Sequence, residues 1–540
     1  LPRSTPALLI LAILSMSLLV SVAVRAIPLA SSPLPYNIDG LSELRVAEDI
    51  MADGDLGFSP ETSHSESYVV DMPVLGLLIA FVSSSIGFDA VDTALPVTAL
   101  LGAVTVAIIS LALLRFLPGP RSFTASALSL ALIGSFAFSA GCTWKETLGI
   151  LLLGLVLLSF SSRNEPRYRI LLSASLVLLV FTHHHAAIVS YVLVTFAVLI
   201  SAYHVRTNPE HRRLLQTDLL MLLTIWTVAI LYYSSVSLPY LDYLSPGTDL
   251  YLYLAVAFLV LLLGVYASTR SRSMSRIPVG VIVPVLGVSL MLYNFHDPIF
   301  PGIPAPSLTI AIPFIAYTLL VIPAWYGAQV LLRLTGPSKN LLLAMLLGPL
   351  SLMLFAFLRA NDATSHLIVY RTFDFLMIPF ALLVGAGFAY LVKGRERLGI
   401  LAGISLVVIC ASTLPVAYQT QELFGVQNHT FEFEYDAVEW FSENGVDSYT
   451  SDQRLGETGW RLFDIEYARG LPYDLREGIA LNSSSFFVIE ESWATDGAQE
   501  FPFGTVVLSD ETLSAFEEEA SVLYVGGSAG DQLTLLMTRG

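Results

Sequence analysis

The chain has 540 residues, of which 55% are hydrophobic and 13% charged, and its mean hydropathy is +0.70. That composition excludes an ordinary soluble domain and a disordered chain, and describes a polytopic membrane protein. A formal net charge of −17 gives no basis for nucleic-acid binding. From Tyr418 onward 23 acidic residues face only 5 basic ones, so the acidity belongs to one C-terminal soluble domain. Only three of the 27 basic residues are lysines (Lys145, Lys339 and Lys393). That bias and the acidic domain suit a halophile's high-salt environment, and codon drift in a GC-rich genome is the competing explanation.

In chain order, apolar windows of about 20 residues predict spans near 8–24, 94–114, 123–141, 146–160, 170–184, 186–203, 214–233, 250–268, 277–293, 307–332, 340–358, 373–392 and 398–416. The expected fold class is therefore a polytopic α-helical membrane protein of about 13 transmembrane helices, residues 1–416. A small acidic α/β domain follows over 417–540. The run at 72–87 is too short to cross and reads as an interfacial or re-entrant helix. The first apolar run lacks a clear small-residue cleavage site and is kept as a span. Cys142 and Cys410 both lie in apolar segments and read as small buried hydrophobes.

Basic clusters fall on alternate connections: Arg115 with Arg121, Arg163 with Arg167 and Arg169, Arg206 with Arg212 and Arg213, Arg270 with Arg272 and Arg276, Arg333 with Lys339, and Lys393 with Arg395 and Arg397. The positive-inside rule puts these on the cytoplasmic face. The first loop 25–73, the turn at Cys142–Glu146, the histidine turn, loop 359–372 and the C-terminal domain then face outward. Two glycosylation sequons, Asn428-His429-Thr430 and Asn482-Ser483-Ser484, fall in that domain. Within it, 431–445 reads as a helix, 484–491 and 504–510 as strands, 513–520 as a short helix, and the last two apolar runs as a hairpin.

Four outward pieces carry chemistry-bearing residues. In the carboxylate-rich first loop, Asp39 follows a Pro-Tyr-Asn turn and Asp71 immediately precedes the interfacial helix, with His64 and Glu66 behind them. Lys145 and Glu146 open a span after Trp144. A snorkelling Lys beside an aromatic-belt Trp is one reading, and a charged pair beside an anionic lipid headgroup is the other. His183, His184 and His185 interrupt an apolar run, where imidazoles are costly unless paired or hydrated. Successive helical side chains point about 100° apart, so the three cannot all chelate one metal. A metal ligand, a sugar or phosphate hydrogen bond, or a polar turn without chemistry all fit. Finally Arg359, Asp362, His366, Arg371 and Asp374 crowd the entry to a late span. An arginine fork there suits a phosphate, and an i, i+3 Arg371–Asp374 pair competes.

On these residues the chain resembles the GT-C superfamily of membrane glycosyltransferases, of the archaeal oligosaccharyltransferase and protein mannosyltransferase kind. The features are an acidic residue soon after span one, Lys-Glu at the outer end of a span, a Thr-His-His turn, and an Arg before a Pro-containing late span. The resemblance implies a polyprenyl (dolichyl) phosphate-linked sugar as donor. It implies Asp39 as catalytic base and Arg371 near the lipid phosphate, with Lys145, Glu146, His183, His184, His185, Asp71 and Asp374 as further substrate-binding candidates. A Mg²⁺ or Mn²⁺ ion held by Asp39 and other first-loop carboxylates is compatible with hard oxygen ligands. The expected setting is the cell membrane, with surrounding lipids and a cell-envelope glycan, glycolipid or glycoprotein acceptor as partners. No Trp-Trp-Asp motif is found in the C-terminal domain, so addition of one sugar is favoured over en bloc transfer to asparagine. A transporter or flippase of lipid-linked saccharides, and a non-catalytic envelope assembly protein, are the alternatives.

Overall fold

The computed structural model describes residues 7–54, 71–117, 119–205, 212–236, 245, 247–269, 279–296, 308–360, 362–418, 430–468, 470–478, 486–495, 497–500, 504–528 and 531–538. His64, Glu66, both sequon asparagines, and Arg206, Arg270, Arg272 and Arg276 lie outside them. The chain forms two compact units: Leu1–Arg25 with Ala99–Gly141 and Lys145–Ala417, and Ala26–Thr98 with Cys142–Trp144 and Tyr418–Gly540.

The first unit is helical. It is built from α1 (Ala7–Arg25), then, beyond the second unit's α2 (Asp39–Asp53) and α3 (Val74–Ile86), most of α4 (Ala90–Leu113), α5 (Pro120–Leu132), α6 (Gly134–Ser139), α7 (Lys145–Phe160), α8 (Pro166–Val180), α9 (His184–Val205), α10 (Arg212–Tyr233), α11 (Thr248–Thr269), α12 (Val279–His296), α13 (Leu308–Leu331), α14 (Pro337–Arg359), α15 (Ala363–Leu391) and α16 (Glu396–Ala411). Among the described residues nine helices are long and apolar enough to cross a membrane. The chain is accordingly a multi-pass membrane protein. Each apolar window carries helix, yet α7 and α8, with 16 and 15 residues, reach only about 24 Å at 1.5 Å per residue. That is short of a hydrocarbon core of about 30 Å. The long α15 is the central post: it packs against α13, α5 and α14, and α9 and α11 pack on α14.

The expected single span over 123–141 is two helices, broken at Ile133. In hydrocarbon a break is tolerated only if protein groups replace the lost backbone bonds. Arg25, buried at the end of α1, donates to Ala131 O at 3.4 Å and Phe136 O at 3.3 Å. Thr413 Oγ1 accepts from Gly134 N at 2.8 Å, and Tyr317 Oη accepts from Ser135 N at 2.9 Å. A Cβ on Gly134 would lie 1.9 Å from Thr413 O, so no other residue fits without moving backbone. Gly134→Val is expected to destabilise the chain by about 2 kcal/mol or more, the range of core overpacking. Thermal unfolding in detergent would read this, and an unchanged midpoint would mean that the break is not held in this way.

The second unit combines the start of the first loop with the C-terminal residues. Its C-terminal part holds α17 (Glu432–Glu443), β1 (Ser448–Thr450), α18 (Gln453–Phe463), β2 (Glu466–Ala468), α19 (Leu471–Glu477), β3 (Phe486–Glu490), β4 (Ala498–Glu500), β5 (Gly504–Val506), α20 (Asp510–Glu519), β6 (Ala520–Ser528) and β7 (Asp531–Thr538). The main sheet has the order β2-β1-β3-β7-β6, with β1 parallel to β2 and β3, and β7 antiparallel to β3 and β6. The predicted closing hairpin is β6–β7, in register from Ala520↔Thr538 to Ser528↔Asp531 around a shift at Val522/Tyr524. Phe441, Tyr449, Phe487, Trp493 and Leu535 form its core, and α2 packs on α18.

Candidate functional site

In the helical unit the chain turns back at residues 181–183 before α9 begins at His184. His183 Nδ1 accepts from Ala186 N at 3.1 Å and so caps one of the free N–H groups of that helix. In the neutral ring this puts the proton on Nε2. The histidine run is thus partly a helix-start device, which sequence reading missed because histidine is an uncommon cap. His184 follows with its ring 5.1 Å from that of His183. His185 turns toward α15: its Nε2 is 3.2 Å from Thr372 Oγ1 and its ring 5.8 Å from that of Phe375.

Two further elements meet this turn. Helix α7 approaches α9 closely at Gly149, where a Cβ would come 2.7 Å from that of Ala186 and 3.4 Å from that of His183. One turn earlier on α7 stand Lys145 and Glu146, both buried. Glu146 Oε2 accepts from Arg371 Nη1 of α15 at 2.7 Å, with side chains 0% and 16% exposed. The ionic partner of Arg371 therefore comes from a distant helix and not from Asp374 at i+3. Asp374 is 2% exposed, its Oδ2 has no hydrogen-bond partner among the described residues, and the charges of Glu146 and Arg371 act on it. Lys145 and Arg371 both lie close enough to act electrostatically on His183 and His184.

The helical unit thus brings Lys145, Glu146, His183, His184, His185, Arg371 and Asp374 into one buried polar cluster, with Thr372 added. Arg359 and Asp362 are occupied otherwise. Arg359 Nε binds Asp249 at 3.0 Å and its Nη1 binds Asp362 at 2.7 Å, while Asp362 caps α15 through Ser365 N at 2.8 Å. Trp144, in the second unit, is buried at 4% exposure, so it is no lipid-facing belt residue.

Asp39 and Asp71 belong to the second unit. Asp39 opens α2, its N–H bonded to Asn37 Oδ1 at 2.9 Å, and its carboxylate is 38% exposed. Arg461 of α18 reaches it at 3.7 Å while donating to Ser42 Oγ at 2.6 Å and Glu457 Oε2 at 2.7 Å. Tyr467 Oη donates to the other Glu457 oxygen at 2.8 Å. Asp71 is half-buried just before α3. Arg461 was missed by sequence reading; an Arg four residues after a Glu on an amphipathic helix was its only signal. Among the described residues no three His, Cys, Asp or Glu side chains are grouped to hold a metal ion, and the cation facing Asp39 is a guanidinium. The described donors therefore do not make a Mg²⁺ or Mn²⁺ site by themselves.

A helical membrane unit and a mixed-sheet unit together give the chain a fold similar to that of a solved membrane oligosaccharyltransferase. The Archaeoglobus fulgidus oligosaccharyltransferase AglB, solved with an inhibitory peptide and a dolichol-phosphate, superposes with a TM-score of 0.57 at 14% identity, over 97% of this chain and 74% of that one. Its apo form gives 0.56 at 15% identity over the same shares, and its complex with Zn and sulfate gives 0.53 at 13% identity over 96% and 72%. At these identities the likeness is one of fold. No protein-family model matches the sequence. No curated protein matches it either.

Proposed function

We propose that the chain is an integral membrane glycosyltransferase that transfers a sugar from a polyprenyl phosphate donor to a cell-surface glycan, glycolipid or glycoprotein on the outer face. The observation that carries this reading is the buried Glu146–Arg371 pair, flanked by Asp374, Lys145 and His185, in a fold shared with an enzyme solved with dolichol-phosphate. A guanidinium held charged and oriented by a carboxylate in a dry site is suited to a phosphate whose negative charge grows as the sugar departs. In the proposed step the acceptor hydroxyl attacks the anomeric carbon and the bond from that carbon to the phosphate oxygen breaks. The hydroxyl proton passes to a general base, and polyprenyl phosphate leaves with the electron pair. The base role is given to Asp39 on the resemblance alone. Arg461, itself anchored by Ser42 and Glu457, would then orient that carboxylate.

A transporter of lipid-linked saccharides would make use of an interrupted span such as the one at Ile133. Here Gly134 N, Ser135 N, Ala131 O and Phe136 O are all engaged by protein groups, which favours a structural break. Mass spectrometry of lipid-linked and protein-linked surface glycans separates the two readings, in cells carrying the wild-type chain, a deletion or Asp39→Asn at matched expression. The enzyme reading expects both variants to lose the same sugar. Loss in the deletion alone would mean that Asp39 is not the base or that the protein moves substrate without chemistry, and unchanged glycans in both would end the proposal.

A further inference from the structure

Away from the polar cluster, the described residues of the helical unit hold a groove of about 290 Å³ between α5, α15 and α16. Its walls are Ala125, Leu128, Phe388, Ile400, Leu406 and Val407, and Cys410 closes one end against Ser129 at 3.6 Å. Room is made by Gly399 and Gly403, four residues apart on α16, where a Cβ would meet nothing closer than 3.8 and 3.7 Å. The other end carries Arg121, 3.8 Å from Glu396; the connection between α15 and α16 holds the exposed Lys393 and Arg395, and the first turn of α16 the exposed Arg397. Arg121 and Glu396 thus stand at the mouth of an apolar slot, and three further cations lie within three residues of Glu396 in the chain.

We infer that this groove is a binding site for one anionic phospholipid, its acyl chain lying along Gly399 and Gly403 and its phosphate at Arg121. The volume is at the lower edge of ligand sites, roughly 300–1,000 Å³. It suits one chain segment rather than a whole lipid. Basic pockets between transmembrane helices on the cytoplasmic side are where acidic headgroups bind, and Arg121, Lys393, Arg395 and Arg397 belong to the basic clusters that the positive-inside rule assigns to that side. The site is separate from the Arg371 cluster. Asp374 stands seventeen residues before Leu391, the last residue of α15 and the neighbour of groove-lining Val392, about 26 Å along the axis, so a lipid whose phosphate meets Arg371 cannot place that phosphate at Arg121. The inference therefore stands whether or not the chain is a glycosyltransferase.

Native mass spectrometry of the full chain in detergent, titrated with phosphatidylglycerol or phosphatidylcholine of identical chains, tests it. The wild type should retain one phosphatidylglycerol at least tenfold more tightly than phosphatidylcholine. Gly403→Phe, which fills the slot, should lose the retained lipid, and Arg121→Ala should lose the preference. Glu396→Gln, which removes the opposing charge, should strengthen retention, a gain that misfolding cannot mimic. Equal retention of both lipids by the wild type, or unaltered retention in Gly403→Phe and Glu396→Gln, would overturn the proposal.

Discussion

Arg371→Gln is expected to lower sugar addition by roughly 100- to 1,000-fold, the usual cost of removing one preorganised donor from a developing anion. The physical difficulty is that Arg371 is also half of a buried ion pair with Glu146, and breaking such a pair leaves an uncompensated charge at a cost of about 3–5 kcal/mol. A structural pair and a phosphate-binding arginine would then both lose activity in single variants. The double variant Glu146→Gln/Arg371→Gln separates them, because it leaves neither charge behind. If Arg371 serves the phosphate, the double variant regains its thermal midpoint in detergent but not its surface glycans. Recovery of both would reduce Arg371 to a helix-packing residue and remove the main support for the proposed function.

The second large effect belongs to the mixed-sheet unit. Arg454→Met should destabilise that unit by about 3–5 kcal/mol, followed by the fluorescence of buried Trp493. Arg454 is fully buried and binds Glu434 from α17 and Glu490 from β3, while Asp452 caps α18 through Leu455 N at 2.9 Å and accepts from Gln499 N at 3.1 Å. Two carboxyl groups thus share one guanidinium, and the charge of that guanidinium acts on a third, Asp452. Burial outweighs the attraction of Arg454 and pushes Glu434 up to about 8, and it raises Glu490 and Asp452 as well. A folded-state value above the ordinary 4.5 means that the folded chain holds a proton the unfolded chain has released. That contribution is complete below about pH 4.5 and is lost as pH rises through about 8. The unfolding midpoint should therefore fall between pH 6 and pH 9, and Glu434→Gln should flatten the fall. A midpoint independent of pH over that window would contradict the shared-proton arrangement.

Much of the helical unit was legible because hydrocarbon imposes a one-dimensional rule: a helix that faces lipid must be apolar along its whole length. Each window therefore falls on helix, and the short run at 72–87 contains the 13-residue α3. The break at Ile133 was not legible, because its compensation comes from Arg25, Tyr317 and Thr413, far away in sequence and ordinary in isolation. In the second unit the alternating strands β3, β6 and β7 and the amphipathic α17 could be read. The three-residue strands β1 and β2 could not, since three residues carry no periodicity.

The site followed the same division. Sequence by itself determined which residues are out of place: Lys145 and Glu146 at a helix start, three histidines in an apolar run, and Arg371 and Asp374 at the head of a late helix are each costly in hydrocarbon unless something answers them. Which group answers which was decided only by tertiary structure. Local spacing offered Asp374 to Arg371, whereas the packing of α7 against α9 and of α9 against α15 delivered Glu146, 225 residues away. Asp39 likewise could be singled out from its position after the first span, but its neighbour Arg461 comes from a helix that meets α2 only in the folded unit. Desolvation cost is a property of one residue in its segment and is written locally, while the partner that offsets it depends on which helices touch.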